Sequence, residues 1–245
     1  MTSTQLQQIM FIDIETVPQT AAFNDLSNEM QHLWEDKFLL LKKRMPEKYE
    51  EISTAAEGFE NSAGIYAEFG RIVCISVGFI FFREKEMFFR TKSFAGDDER
   101  QILMDFCELI NKFFTTPDHN FCGHNIKEFD IPYICRRILI LGLPIPKYLL
   151  INNKKPWELN FIDTMDYWKF GDYKNFTSLK LLTAVFGIPT PKDDIDGSQV
   201  ATVFYKENNI ARISTYCQKD VLATAQIWLK MNGIKPINAE NFQHL

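Results

Sequence analysis

The chain has 245 residues, 46% of them hydrophobic, enough for one large domain with a substantial core. Its 27 Lys and Arg against 32 Asp and Glu give a net charge of −5, which argues against a broadly basic surface for coating nucleic acid but not against a local acidic site that binds metal. There is no apolar run of about eighteen residues and no basic, then apolar, leader, so a cytoplasmic protein without a membrane span is expected. Five cysteines (Cys74, Cys107, Cys122, Cys135, Cys217) make no C-x-x-C pair, which predicts reduced thiols used in packing, not disulfides or a zinc site.

The first element is Ile9 to Pro18 (IMFIDIETVP), an Ile-rich run bounded by proline, as a strand covered on both faces requires. Two carboxylates interrupt it. Strand side chains alternate, so Asp13 and Glu15 project to one side about 7 Å apart, and Ile12 and Ile14 to the other. Buried acids are costly unless compensated, and no Lys or Arg lies in the strand, so a divalent cation is the natural partner. Acid-x-acid is expected about four times by chance in this composition. The apolar frame, more than the spacing, therefore carries the metal reading.

Residues 17 to 70 show no strand pattern and read as a helical insertion, with apolar positions at helical spacing from Glu29 to Leu41 and a stop at Pro46. Lys42-Lys43-Arg44 is a solvated basic face or a contact for a phosphate backbone. Arg71 to Phe82 and Glu86 to Phe94 predict a hairpin turning at Arg83-Glu84-Lys85, antiparallel to the first strand. Asp97 to Phe114 predicts a helix with Ile102, Leu103, Phe106, Leu109, Ile110 and Phe113 in one stripe.

Asn120 to Ile126 reads as a short strand running into a loop, and Lys127 to Leu141 as a helix with Asp130 in its first turns, just before Ile131-Pro132. Asn160 to Asp163 predicts an edge strand, and Phe176 to Phe186 a helix closed by Gly187. A Pro- and Asp-rich loop follows, with Ser198 as the cap of the next helix, which runs to about Glu207. Asn209 to Lys230 is the last long helix, with Tyr216 and Asp220 four apart on one face.

Taken together these motifs resemble the DEDD-type 3′-to-5′ exonucleases, most closely the proofreading exonuclease domain of family B DNA polymerases. Phe11-Ile12-Asp13-Ile14-Glu15-Thr16 looks like the first motif, Gly123 to Ile134 (GHNIKEFDIPYI) the second, and Tyr216-Cys217-Gln218-Lys219-Asp220 the third, with Tyr pointing to the tyrosine subgroup. The resemblance covers about residues 9 to 231 and implies a stand-alone relative of that domain, residues 1–245 forming a single exonuclease domain. The implied fold is α/β and ribonuclease-H-like, a mixed sheet flanked by helices. The implied cofactors are two divalent ions, Mg²⁺ or Mn²⁺. Asp13 would bridge both, Glu15 and Asp220 would complete the site of the attacking water, Asp130 would serve the second ion, and Tyr216 would orient the nucleophile.

Softer expectations surround these five residues. Thr16 would meet the terminal nucleotide through its backbone, Asn125 a sugar or phosphate, and Phe129 a base; each also has a local capping or core explanation. His124 is expected to be structural. Lys192 and Asp196 lie where a strand would leave the site. The implied activity is removal of nucleotides from single-stranded DNA 3′ ends, with a ribonuclease of the same superfamily or a silent nucleic-acid-end binding module as alternatives.

Overall fold

The Ile-rich run Ile9–Pro18 is the central strand, β1, of a six-stranded sheet in a computed structural model that describes residues 1–155, 158–159, 161–172, 174, 176–189 and 195–244. The other strands are β2 (Gly70–Arg83), β3 (Glu86–Ala95), β4 (Asn120–Gly123), β5 (Phe161–Asp163) and β6 (Phe242–His244), in the order β5-β4-β1-β2-β3-β6. β1–β2 and β2–β3 are antiparallel; β1–β4, β4–β5 and β3–β6 are parallel. The mixed sheet flanked by helices is thus present. The hairpin turn holds as expected, with Glu84 and Lys85 both at positive φ (49° and 71°), the hand that matches strand twist in a two-residue loop.

The alternation read from β1 sorts its side chains between two layers. Met10, Ile12 and Ile14 pack with α4 (Glu99–Phe113) and α5 (Asp130–Ile140), whose Ile102, Leu103, Phe106, Ile131, Ile134 and Ile138 share their cluster. Ile9 and Phe11 face the other way, onto Val221, Ala225 and Leu229 of α9 (Ile210–Met231). Each such fully buried side chain contributes about 1.5–3 kcal/mol. The sheet is therefore pinned between helices, and any acid on β1 is held in a defined place.

Between β1 and β2 lies the helical insertion. It contains α2 (Asn28–Arg44) and α3 (Ala55–Ser62) around an aromatic cluster of Trp34, Phe38, Tyr49, Phe59 and Phe69. The basic triplet closes α2, and Lys42 Nζ donates to the Ile52 carbonyl at 2.9 Å, so this lysine serves the insertion internally and not a phosphate backbone.

Several boundaries differ from expectation, each for a local reason. α5 starts at Asp130 and not at Lys127, because Asn125 is left-handed (φ 66°) and the Glu128 and Phe129 amides both turn back to its carbonyl. α7 (Leu179–Val185) starts three residues later than Phe176, where the Ser178 hydroxyl accepts from the Leu181 amide. α8 (Val200–Tyr205) is preceded by a tight turn capped by Asp196, with Ser198 donating to Asp196 instead of capping the helix itself. Three short elements escaped the pattern reading: α1 (Ser3–Gln7), α6 (Thr164–Lys169) and β6. Asn160 and Lys192 lie outside the described residues. Among the described residues no helix is long and apolar enough to cross a membrane.

Candidate active site

Asp13 and Glu15 lie on the α9 face of β1, two residues apart. Directly after Glu15 the pairing with β2 skips a residue, from Glu15↔Cys74 to Thr16↔Ile72. Such an irregularity re-aims neighbouring side chains, and it sits where the acids end. α9 crosses above them: the Cys217 thiol lies 3.3 Å from Asp13 Oδ2 and 3.4 Å from the Asp13 carbonyl. That contact brings Tyr216 and Asp220, on either side of Cys217 in the same helix, to β1.

Asp130 arrives from the opposite layer. It is the first residue of α5 and 3% exposed, and Ile131 and Ile134 of the same helix pack in one cluster with Ile12 and Ile14 of β1. The loop before it is set by Asp163, at the end of β5, which accepts from the Asn125 amide (3.0 Å) and the Lys127 amide (3.1 Å) while capping α6 through Met165 and Asp166. Gly123 is required at the loop's start, since a Cβ there would stand 1.8 Å from Ile126 Cγ2. His124 pins the loop from outside. Its Nε2 meets the Thr177 carbonyl at 2.9 Å and so carries the hydrogen, and burial lowers its pKa, which fits the expected structural part.

Asp130 and Asp220 act on Asp13, and all three act on Glu15. Burial lifts the Asp13 carboxyl well above its usual range, and Asp130 and Asp220 lift it further. Glu15, 7% exposed, is raised by burial and then by Asp13, Cys74, Asp220 and Asp130. Asp130 is raised to about 7, by burial first and then by Asp163, against amide hydrogen bonds that lower it. Tyr216 remains a neutral phenol, pushed up by burial and by Asp220, then by Glu15 and Asp13.

Among the described residues no Lys or Arg forms an ion pair with Asp13, Glu15 or Asp130. Asp13, Glu15 and Cys217 each offer a ligand atom within 4.8 Å of the others. The part-buried Asp13 and the buried Glu15 are hard oxygen donors without a basic partner among the described residues, which fits a divalent cation.

One of the core thiols also touches the acids. Cys122 is a buried packing thiol, but Cys217 touches Asp13, and burial with the nearby acids keeps it protonated as a donor. Beneath it Cys74 meets Ser76 (3.6 Å), Ser76 meets Ser93 (2.8 Å), and Gln218 donates to Ser93 (2.8 Å). Neither Cys217 nor Asp163 carried a spacing signal. The available hint was that Cys217 follows Tyr216 on the helix face shared with Asp220.

Beside Glu15 a cleft of about 250 Å³ is lined by Thr16 and Phe129, by Asn61 and Ile65 of the insertion, and by Ser198. Two of the three softer candidates thus line it. The third, Asn125, keeps a buried Oδ1 with no hydrogen-bond partner among the described residues. Asp196 is occupied as a cap.

The raised Asp130 pKa has a measurable sign. The folded state holds its proton more tightly than the unfolded chain, so stability is fully present below about pH 4 and is lost as pH rises through about 7. Metal-free protein is expected to be less stable at pH 8 than at pH 5 by on the order of a few kcal/mol, with Asp130→Asn flattening the trend. Thermal melts in EDTA across that range check this; a wild-type melting temperature that climbs toward pH 8 contradicts it.

The family described as predicted 3′-5′ exonuclease related to the exonuclease domain of PolB matches residues 65–244, a span that takes in Asp130, Tyr216 and Asp220 but begins after Asp13 and Glu15. Among solved structures, the family B DNA polymerase from the hyperthermophilic archaeon Pyrobaculum calidifontis is similar with a TM-score of 0.54 at 14% identity, over 91% of this chain and 24% of that one. At that identity the likeness is one of fold, the ribonuclease-H-like mixed sheet with flanking helices. The chain spans about a quarter of the polymerase's length. No match was found among curated protein sequences.

Proposed function

We propose, since the chain belongs to the family of predicted 3′-5′ exonucleases related to the exonuclease domain of PolB, that it shortens single-stranded DNA from the 3′ end by metal-dependent hydrolysis of phosphodiester bonds. The observation that carries this reading is the convergence of Asp13, Glu15, Asp130 and Asp220 from three separate elements, close enough that Asp130 and Asp220 raise the Asp13 pKa and all three raise that of Glu15. These four would hold two divalent ions, Mg²⁺ or Mn²⁺. Bound there, the ions supply an activated water and neutralise charge developing on the phosphate and the leaving oxygen.

The chain's own groups have the remaining tasks. Asp13, whose pKa both Asp130 and Asp220 raise, would be the carboxylate shared between the ions. Glu15 and Asp220 would help hold one ion, and Asp130 would serve the other. Tyr216 stays protonated at neutral pH, so its hydroxyl orients the nucleophile by hydrogen bonding and does not act as a base. In the cleft beside Glu15, Thr16 and Phe129 receive the terminal nucleotide, while the side-chain Oδ1 of Asn125, in the loop before Asp130, accepts from its sugar. The four ligand acids account for most of the net charge of −5, so metal loading removes the apparent conflict with a polyanionic substrate. Residues 1–245 are read as one exonuclease domain with an insertion at 17–70. Reduced, largely buried cysteines suit the cytoplasm.

Matched 3′-labelled and 5′-labelled DNA and RNA oligonucleotides, incubated with Mn²⁺, with EDTA, and with Asp220→Ala protein, test the proposal. Stepwise shortening of DNA from its 3′ end, lost with EDTA and in the variant, is expected. Shortening of RNA alone would make the enzyme a ribonuclease, and end binding without cleavage would make it a binding module.

A further inference from the structure

From Thr164 to Phe176 the chain is dense in aromatic and basic side chains, and much of this stretch stands in solvent. Phe170 is 85% exposed and Phe176 68% exposed, the two most exposed large apolar side chains among the described residues, with Tyr167 at 46%. Phe170 also ends α6 in the left-handed region (φ 44°, ψ 36°), which a bulky L residue adopts only against steric resistance. A side chain that is both strained and exposed is held there at the expense of stability, the pattern associated with function. The Tyr167 and Phe170 rings are 6.1 Å apart, and the Lys169 ammonium lies 4.8 Å from the Phe176 ring centre. Lys174, between the two phenylalanines, is exposed.

This ridge is tied to the site. The Thr177 carbonyl, next to Phe176, accepts from His124, and the Thr164 hydroxyl donates to the Gly123 carbonyl (3.1 Å). Lys127 Nζ binds Asp166 at 2.7 Å, which neutralises an acid of α6, and Asp172 is turned to the Lys174 amide. From the other side Trp228 of α9 meets the Tyr167 ring at 5.3 Å. The ridge is thus fastened to the loop that leads to Asp130.

We propose that Phe170 and Phe176, with Lys169 and Lys174, form a stacking platform for the single-stranded polymer upstream of its 3′ end. Exposed rings accept any base by stacking, and interleaved ammonium groups meet the phosphates between bases, so the ridge complements a single strand in both charge and shape. This inference rests on the exonuclease reading. It adds a second zone of contact that only substrates long enough to reach it can use.

The test compares oligodeoxythymidylates of about three and about fifteen nucleotides. With Phe170→Ala or Phe176→Ala, KM for the long substrate is expected to rise roughly tenfold with kcat unchanged, while the short substrate is unaffected. Phe170→Trp should restore wild-type KM. Lys169→Met and Lys174→Met should each lower the salt dependence of binding to the long oligonucleotide in EDTA, read by fluorescence anisotropy, by about 0.7 in slope. Phe170→Gly relieves the left-handed strain, so it is expected to melt no lower than wild type while binding the long strand more weakly. If wild-type protein shortens DNA but the variants keep its KM on both lengths, the platform is wrong and the exonuclease reading stands. Equal losses on short and long substrates, or unchanged KM with self-association lost in Phe170→Ala, would also overturn the platform. If wild-type protein neither binds nor shortens DNA, it is the exonuclease reading that fails.

Discussion

Asp13→Ala protein is expected to lose at least about three orders of magnitude in hydrolysis rate with Mn²⁺ saturating. The reason lies in placement: Asp13 stands on the central strand, close to Asp130 and Asp220, and is part-buried without a basic partner among the described residues. Removing it deletes the ligand proposed to be shared between the ions. The same substitution relieves like-charge repulsion, so the metal-free protein at pH 8 should melt at or above the wild-type temperature. In return, the rise in melting temperature that Mn²⁺ produces by binding the folded state should largely vanish. Tyr216→Phe makes the contrast, with a smaller loss of roughly ten- to a hundredfold and an unchanged metal shift. Activity of Asp13→Ala within tenfold of wild type, or an undiminished metal shift, would refute the assignment.

Arg137→Leu should be the most damaging single change to stability, by about 3–5 kcal/mol. Arg137 and Glu99 are 5% and 7% exposed and form a two-pronged pair, Nε to Oε1 at 2.8 Å and Nη2 to Oε2 at 2.6 Å. Arg137 also donates to the Ala67 carbonyl, and Glu99 accepts from the Ile72 amide. The pair therefore fastens α5 to the first turn of α4, to β2 and to the end of the insertion. Leu at 137 leaves Glu99 buried and ionised with only an amide for company. For a chain of this length the melting temperature should fall by on the order of ten degrees. Glu99→Met combined with Arg137→Leu should recover much of the loss, because the cost lies in the stranded charge more than in the missing attraction. A double variant that melts below the single one would show that the pair itself, and not its desolvation, holds the helices.

Both outcomes bear on what kind of information the chain carries. Alternation in Ile9–Pro18 assigned Asp13 and Glu15 to one face and Ile12 and Ile14 to the other, and β1 is built so. Helical spacing assigned the α4 stripe and put Tyr216 and Asp220 together. These are local rules, in which side-chain direction follows from backbone period, so a few consecutive residues suffice. Short elements defeat the same rules: the six residues of α6 span less than two turns, and its start is set by Asp163 as a cap, not by any apolar period.

The amino-acid sequence by itself thus determined the central acid-bearing strand, the hairpin and the main helices, while motif order grouped four carboxylates and a phenol as the expected site. Only the tertiary structure decided how they are supported. The thiol of Cys217 reaches Asp13 across 204 residues of chain, Asp163 clamps Asn125 from 38 residues away, and the insertion walls the cleft beside Glu15. Contacts of this kind have no period, since they exist only after β4, β5, α5 and α9 have packed on β1. Burial then sets the electrostatics, for a carboxylate's pKa depends on the water and charge around it, which the fold supplies.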